Sequence, residues 1–205
     1  MSITINNIEE LHQVLLKYGI NTSRYGCDQA KTILQLYGEI VDGETILYDK
    51  NGSLERQLNV VYVLIIKNDK ILLEKQQTLP TGQIRNRNIP LAEKLKSDEN
   101  WKPAAIRGIV EELSYLDKDT KIDLAITVDF DSHKQFIEKT FSKSYPGIAT
   151  TYLTHVVPAT VSGIPDIDFK SFEKREDGYL ITEWTWITIE DAQKINLMIE
   201  MFYSD

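Results

Sequence analysis

An α+β fold (in the wider sense, α/β) with a mixed β-sheet is what this sequence predicts. Three observations point there. Runs rich in Val, Ile and Tyr alternate with turn chemistry, as in residues 58–67 followed by Asn68-Asp69. One strongly amphipathic stretch, residues 100–116, stands in mid-chain with Ile106, Ile109, Val110 and Leu113 spaced as a helical stripe. The order is strands, one helix, strands, one helix, which is not the regular alternation of a βαβ protein. A chain of 205 residues, 42% hydrophobic and 26% charged, is long enough for one ordinary domain and a small appendage.

Taken in order, Asn7 and Glu10 form a capping-box pattern, and Ile8, Leu11, Leu15 and Leu16 fall on one helical face, with Gly19 as the stop. A second helix is expected to start near Asp28, with Ala30, Ile33, Leu34, Tyr37 and Val41 as its stripe and Gly43 as its end. A hairpin of two short helices buries little by itself. Residues 1–52 therefore read as a helical appendage to a domain spanning 53–205. Residues 45–48 are a strand candidate, and residues 49–52 (Asp-Lys-Asn-Gly) are a turn. Residues 58–67 and 70–76 read as antiparallel partners. Residues 85–91 are a short strand or an ordered loop. Strands are expected at 122–131, 150–157 and 179–188, a short helix or loop at 133–141, and a final helix at 189–203 with Ala192, Ile195, Ile199 and Phe202 inward.

The formal net charge of -8 disfavours bulk electrostatic binding to nucleic acid or an anionic membrane. The single cysteine, Cys27, allows no internal disulfide and is expected as a buried or half-buried residue at a helix start. His12, His133 and His155 show no ligand spacing and suggest no role. The longest apolar run, residues 60–66, falls far short of the ~20 residues of a membrane helix, and no signal peptide is visible. A cytoplasmic or otherwise intracellular protein without membrane contact is expected, an organelle staying open.

The chemistry gathers on the helix at 100–116. Away from the expected stripe it carries Arg107, Gly108, Glu111 and Glu112, and Glu99 precedes it. Adjacent carboxylates on one side suit a hard divalent cation, although such a pair is also common on a solvated face. A basic group lies close in sequence: Arg85, Arg87, Lys94 and Lys96, with Lys75 before them. It reads as a phosphate-facing wall or as a loop that balances nearby acids. Tyr152, Trp184 and Trp186 can stack a base or pack the core, and the i, i+2 spacing of the two tryptophans favours the core.

Residues 93–115 resemble the Nudix box, whose pattern is G-x5-E-x7-R-E-U-x-E-E-x-G-U with U a bulky apolar residue. Glu99, Arg107, Ile109, Glu111 and Glu112 fit it at the required spacing, and Tyr115 approximates the last apolar position. Three positions depart: Glu93 and Ser114 stand where the pattern has Gly, and Gly108 stands where it has the Glu after the Arg. The resemblance extends roughly over residues 58–202. It implies a Nudix-like α/β/α sandwich and a Mg2+- or Mn2+-dependent hydrolase of a nucleoside diphosphate linked to another moiety. By the same resemblance Glu111 and Glu112 bind the metal and Arg107 pairs with Glu99. Arg85, Arg87 and Lys94 are the candidate substrate contacts. The base stays open between Glu112 and a later carboxylate such as Asp129, Asp131 or Glu138. Gly108 removes one carboxylate of the pattern. The alternative is thus a catalytically impaired, nucleotide-binding or structural subunit, its N-terminal helices docking a protein partner or a second copy.

Overall fold

In the computed structural model, which describes residues 1–28, 30–175 and 177–194, the chain is α+β. In chain order its elements are β1 (Ser2–Ile3), α1 (Ile8–Lys17), α2 (Ile33–Val41), β2 (Ile46–Lys50), β3 (Ser53–Lys67), β4 (Lys70–Thr78), β5 (Ile84–Ile89), β6 (Leu91–Lys94), α3 (Trp101–Leu113), β7 (Ala125–Val128), β8 (Lys134–Phe141), β9 (Ala149–Ser162), β10 (Phe169–Arg175), β11 (Gly178–Thr188) and α4 (Ile189–Lys194). Packing divides the chain into two units. The first takes Met1–Val60, Lys94–Asn100 and Gln135–Thr154. The second takes Val61–Glu93, Trp101–Lys134 and the chain from His155 onward. Among the described residues no helix is long and apolar enough to cross a membrane.

The first unit is built on the hairpin of β2 and β3. Its turn is Asn51-Gly52, with both residues at positive φ (54° and 82°), as a two-residue type I′ turn requires. The Asp49 carboxylate accepts from the Gly52 N–H at 2.9 Å and holds that turn closed. β1 adds to β2 in antiparallel register. The core joins Leu11 and Leu15 of α1 and Leu36 of α2 to Leu47, Leu54, Tyr145 and Ile148, so the helices bury their apolar faces on strand and loop residues rather than on each other alone.

α1 begins at Asn7, whose side chain accepts from the Glu10 N–H, and the cap falls where the sequence puts it. α2 does not start near Asp28. Its N-cap is Thr32, which forms a full capping box with Gln35. Ile33 and Tyr37 of the expected stripe pack against the core beside buried Leu36 and Glu39, whereas Leu34 and Val41 are 69% and 62% exposed. Leu16 of α1 is likewise exposed. Cys27 lies exposed in the loop before α2.

In the second unit, β4 pairs with the end of β3 through the turn Asn68-Asp69, again with both residues at positive φ. β11 pairs with the other edge of β4 over eight positions with a bulge between Glu183 and Trp184, and β10 pairs with β11. β5 pairs with the far end of β4, and β7 with the end of β9. All these pairings are antiparallel. Trp184 is fully buried and donates from Nε1 to Ser171 Oγ at 2.8 Å, while half-buried Trp186 donates to the Pro165 carbonyl at 3.0 Å. Residues 134–141 form strand β8, not a helix; the segment carries Phe136, Ile137, Thr140 and Phe141, which favour extended backbone. β10 has no counterpart among the expected strands. Ile195, Ile199 and Phe202 lie outside the described residues.

Candidate functional site

α3 buries Ile109 and Leu113, as its apolar spacing predicts, but completes that face with small residues rather than with Ile106 and Val110. Ala104, Ala105, Gly108, Ile109 and Leu113 are buried, while Ile106 and Val110 are 41% and 39% exposed. Close approach explains this: small side chains let the helix axis come near the strands, and the larger residues at the rim cannot follow. Gly108 marks the closest contact. A Cβ there would meet the Glu93 Cβ at 2.8 Å and Leu91 Cδ2 at 3.2 Å. The Glu93 stem therefore occupies the space that a side chain at position 108 would need. The two departures from the Nudix pattern at 93 and 108 are one packing arrangement.

Glu93 turns its carboxylate to Arg107, whose Nη1 donates to Oε1 at 2.7 Å. The same guanidinium reaches Glu111, four residues on, at 3.3 Å. Arg107 is thus a clamp between two carboxylates. Glu99, in the first unit, accepts from the Lys96 N–H through Oε2 at 2.9 Å.

Glu111 and Glu112 point differently although they are adjacent. About half of the Glu111 side chain is exposed, on the Arg107 side. Glu112 follows Gly108 by one turn, on the inward side, and its Oε2 is buried with no hydrogen-bond partner. Burial first, then the charges of Glu74, Glu93 and Glu173, push its pKa well above the usual carboxylate range. Glu74 of β4 is also buried and accepts from Arg87 Nε at 3.0 Å. Burial outweighs that arginine and holds the Glu74 pKa above its ordinary value.

The expected basic wall is divided among acids. Arg87 is held by Glu74, and Arg85 stands two residues before it on β5, opposite Gln77. Lys94 belongs to the first unit, where it bridges Glu39 and Glu44 at 2.7 and 2.8 Å. Lys75 and Lys96 are exposed. Among the base candidates, Asp129 accepts from the Asp131 and Ser132 N–H groups and from Ser132 Oγ; these bonds, the Ser132 hydroxyl first, lower its pKa, so it serves its own turn. Asp131 and Glu138 are exposed.

Among the described residues no three His, Cys, Asp or Glu side chains stand close enough together to hold an ion by themselves. Magnesium commonly uses one or two carboxylates and completes its shell with water and substrate phosphate oxygens. The buried, unpartnered oxygen of Glu112 fits that manner of binding; Glu111, drawn to Arg107, does not converge with it.

Two histidines that the sequence leaves without a role do meet. His133 Nε2 lies 2.9 Å from His155 Nδ1, and Trp101 stacks on His133 with ring centroids 3.9 Å apart. Burial, then His133, brings the His155 pKa down to about 4. Spacing cannot reveal this pair, because β9 carries His155 back over 22 residues of chain.

No family model matches the sequence, and no curated protein matches it. Among solved structures, a NUDIX hydrolase from Nitrosomonas europaea shows 22% identity over 67% of this chain and 76% of its own, with a TM-score of 0.40. The E. coli ORF135 protein shows 19% identity over 72% and 89%, TM-score 0.42. A MutT NUDIX hydrolase from Burkholderia pseudomallei shows 16% identity over 66% and 86%, TM-score 0.38. These are partial likenesses of backbone path and say nothing of this chain's activity.

Proposed function

We propose that this protein is a Nudix-type hydrolase that cleaves a nucleoside diphosphate linked to another moiety with Mg2+ or Mn2+. One observation carries the reading: the Glu112 carboxyl group is buried on the inward side of α3 with one oxygen unpartnered, among Glu74, Glu93 and Glu173. Such a group must either hold a proton or face a cation. A bound divalent ion supplies charge neutralisation at phosphorus and an activated water. Glu112 would be its protein ligand, with Glu111 joining only if it leaves Arg107. Arg107 positions Glu93 and Glu111, and Arg87 positions Glu74. A carboxyl with raised proton affinity is also suited to accept a proton.

The test is a Mg2+ and Mn2+ titration against a panel of nucleoside diphosphate derivatives, alongside Mn2+ binding measured without substrate. Turnover and Mn2+ affinity should both fall at least tenfold in Glu112→Gln. Unchanged values in that variant would sink the assignment. A second reading has its own observation. Gly108 leaves α3 without a carboxylate at that position, and Glu111 and Glu112 diverge. A folded protein that binds the panel without turnover would be a nucleotide-binding or structural subunit.

A further inference from the structure

The exchange of residues at 93 and 108 does more than fill space. The Nudix pattern has Gly at the first of these positions and Glu at the second, whereas this chain has Glu93 and Gly108. Glu93 lies on β6, and its Cβ and Cγ are 2.8 and 3.1 Å from the point where a Cβ on Gly108 would stand. A side chain leaving β6 at 93 therefore starts from almost the same place as one leaving α3 at 108. Glu112 comes four residues after Gly108, and helix positions so spaced are neighbours, roughly 5–6 Å apart between Cβ atoms. The Glu93 stem thus stands to Glu112 as an i, i+4 partner on the helix itself would.

We propose that Glu93 supplies from β6 the carboxylate that α3 lacks at position 108, and that it joins Glu112 in holding the divalent ion. This rests on the reading of Glu112 as a metal ligand. Several observations support it. Glu112 Oε2 is buried without a hydrogen-bond partner, on the side of α3 that Glu93 covers. Of the two carboxylates that Arg107 touches, Glu93 is the inner one, its side chain 15% exposed against 49% for Glu111. Its charge also reaches Glu112: after burial and Glu74, it is the next influence raising the Glu112 pKa. Packing alone does not ask for an acid at 93. A leucine or methionine stem would cover Gly108 without bringing a further negative charge to bear on Glu112. Arg107 Nη1 donates to Glu93 Oε1 at 2.7 Å, and a carboxylate that ligates a metal is commonly oriented by such a bond. Two carboxylates, completed by water and substrate phosphate oxygens, make a shell of the kind magnesium takes. One ligand would then come from the helix and the other from the strand beside it.

The test is Mn2+ binding to the full chain without substrate, read by electron paramagnetic resonance of the free ion. The parent is compared with Glu112→Gln, with Glu93→Gln, and with an exchange variant that combines Glu93→Gly and Gly108→Glu. Glutamine at 93 keeps the stem over Gly108, so the helix packing is retained. Glu93→Gln should weaken Mn2+ binding about tenfold or more. The exchange variant should recover most of that loss; should it not fold, Glu93→Gln decides alone. If Glu112→Gln loses Mn2+ while folded Glu93→Gln keeps it, Glu93 is a packing residue: this proposal falls and the reading of Glu112 stands. If neither substitution changes binding, or the parent binds no Mn2+, the reading of Glu112 falls and takes this one with it. A folded exchange variant that binds no better than Glu93→Gln would overturn the equivalence of the two positions.

Discussion

Glu112 of α3 and Arg56 of β3 are buried charge-bearing groups of opposite sign. They differ in how each can be relieved. Glu112 can discharge itself by taking up a proton, and its raised pKa is that response. Arg56 cannot, because a guanidinium keeps its charge under folding conditions. A buried carboxyl is therefore adjustable by pH, whereas a buried guanidinium must be met by its surroundings, here the faces of Tyr145 and Tyr152.

Breaking the first unit's balance should have the largest effect. Glu39→Gln leaves Lys31 and Lys94 without their shared carboxylate, and denaturant unfolding should show a loss of about 3 kcal/mol, in line with breaking a buried ion pair. A variant as stable as the parent would mean that these lysines are relieved by water.

Gly108→Ala comes next. Alanine suits a helix better by about 1 kcal/mol, yet its Cβ would stand 2.8 Å from the Glu93 Cβ, and overpacking should win with a net loss of about 2 kcal/mol. Adding Glu93→Gly should return part of that loss. If Gly108→Ala alone stabilises the protein, Glu93 does not fill that space.

Glu112→Gln sharpens the comparison directly. The folded pKa of Glu112 is raised, so its contribution is present below the unfolded value near 4.5 and is lost as pH rises through the folded value. The variant should gain on the parent as pH climbs above the unfolded value. A pH-independent difference in unfolding free energy would show that Glu112 is already compensated.

The smallest effect belongs to His155. Its folded pKa lies near 4, below its unfolded value, so the unfolded chain takes up the proton first. Stability should fall by a modest amount as pH drops from about 6.5 towards 4, and His155→Phe should flatten that part of the profile in a pH series of melting midpoints.

Much of the fold was legible because local chemistry specifies it. Asn51-Gly52 and Asn68-Asp69 announce hairpin turns, Asn7 announces a cap, and residues 58–67 announce a buried strand. The errors came where tertiary contact overrides local pattern. The Thr32 box with Gln35 is as readable as the one at Asn7, yet Ala30 points to an earlier start, and Leu34 and Val41 are exposed although Ile33 and Tyr37 pack on the core. In α3 the large residues Ile106 and Val110 outvoted Ala104, Ala105 and Gly108, although small residues mark the closer approach. The carboxylates of α3 could be picked out by spacing. That Glu93 covers Gly108, that Arg87 and Lys94 are claimed by Glu74 and Glu39, and that His133 meets His155 all depend on pairings distant in sequence.

The hairpin of β2 and β3 has a consequence for Arg56. Along β3 the inward positions are Leu54, Arg56, Leu58 and Val60, with Glu55, Gln57 and Asn59 between them. A strand can turn one residue outward only by slipping its register, and a slip moves every second residue with it. The two-residue turn at Asn51-Gly52 holds that register. The chain cannot relieve the buried guanidinium by rotating it to water without exposing three apolar neighbours at once. Arg56 is kept inside as a passenger of the hydrophobic side of its strand.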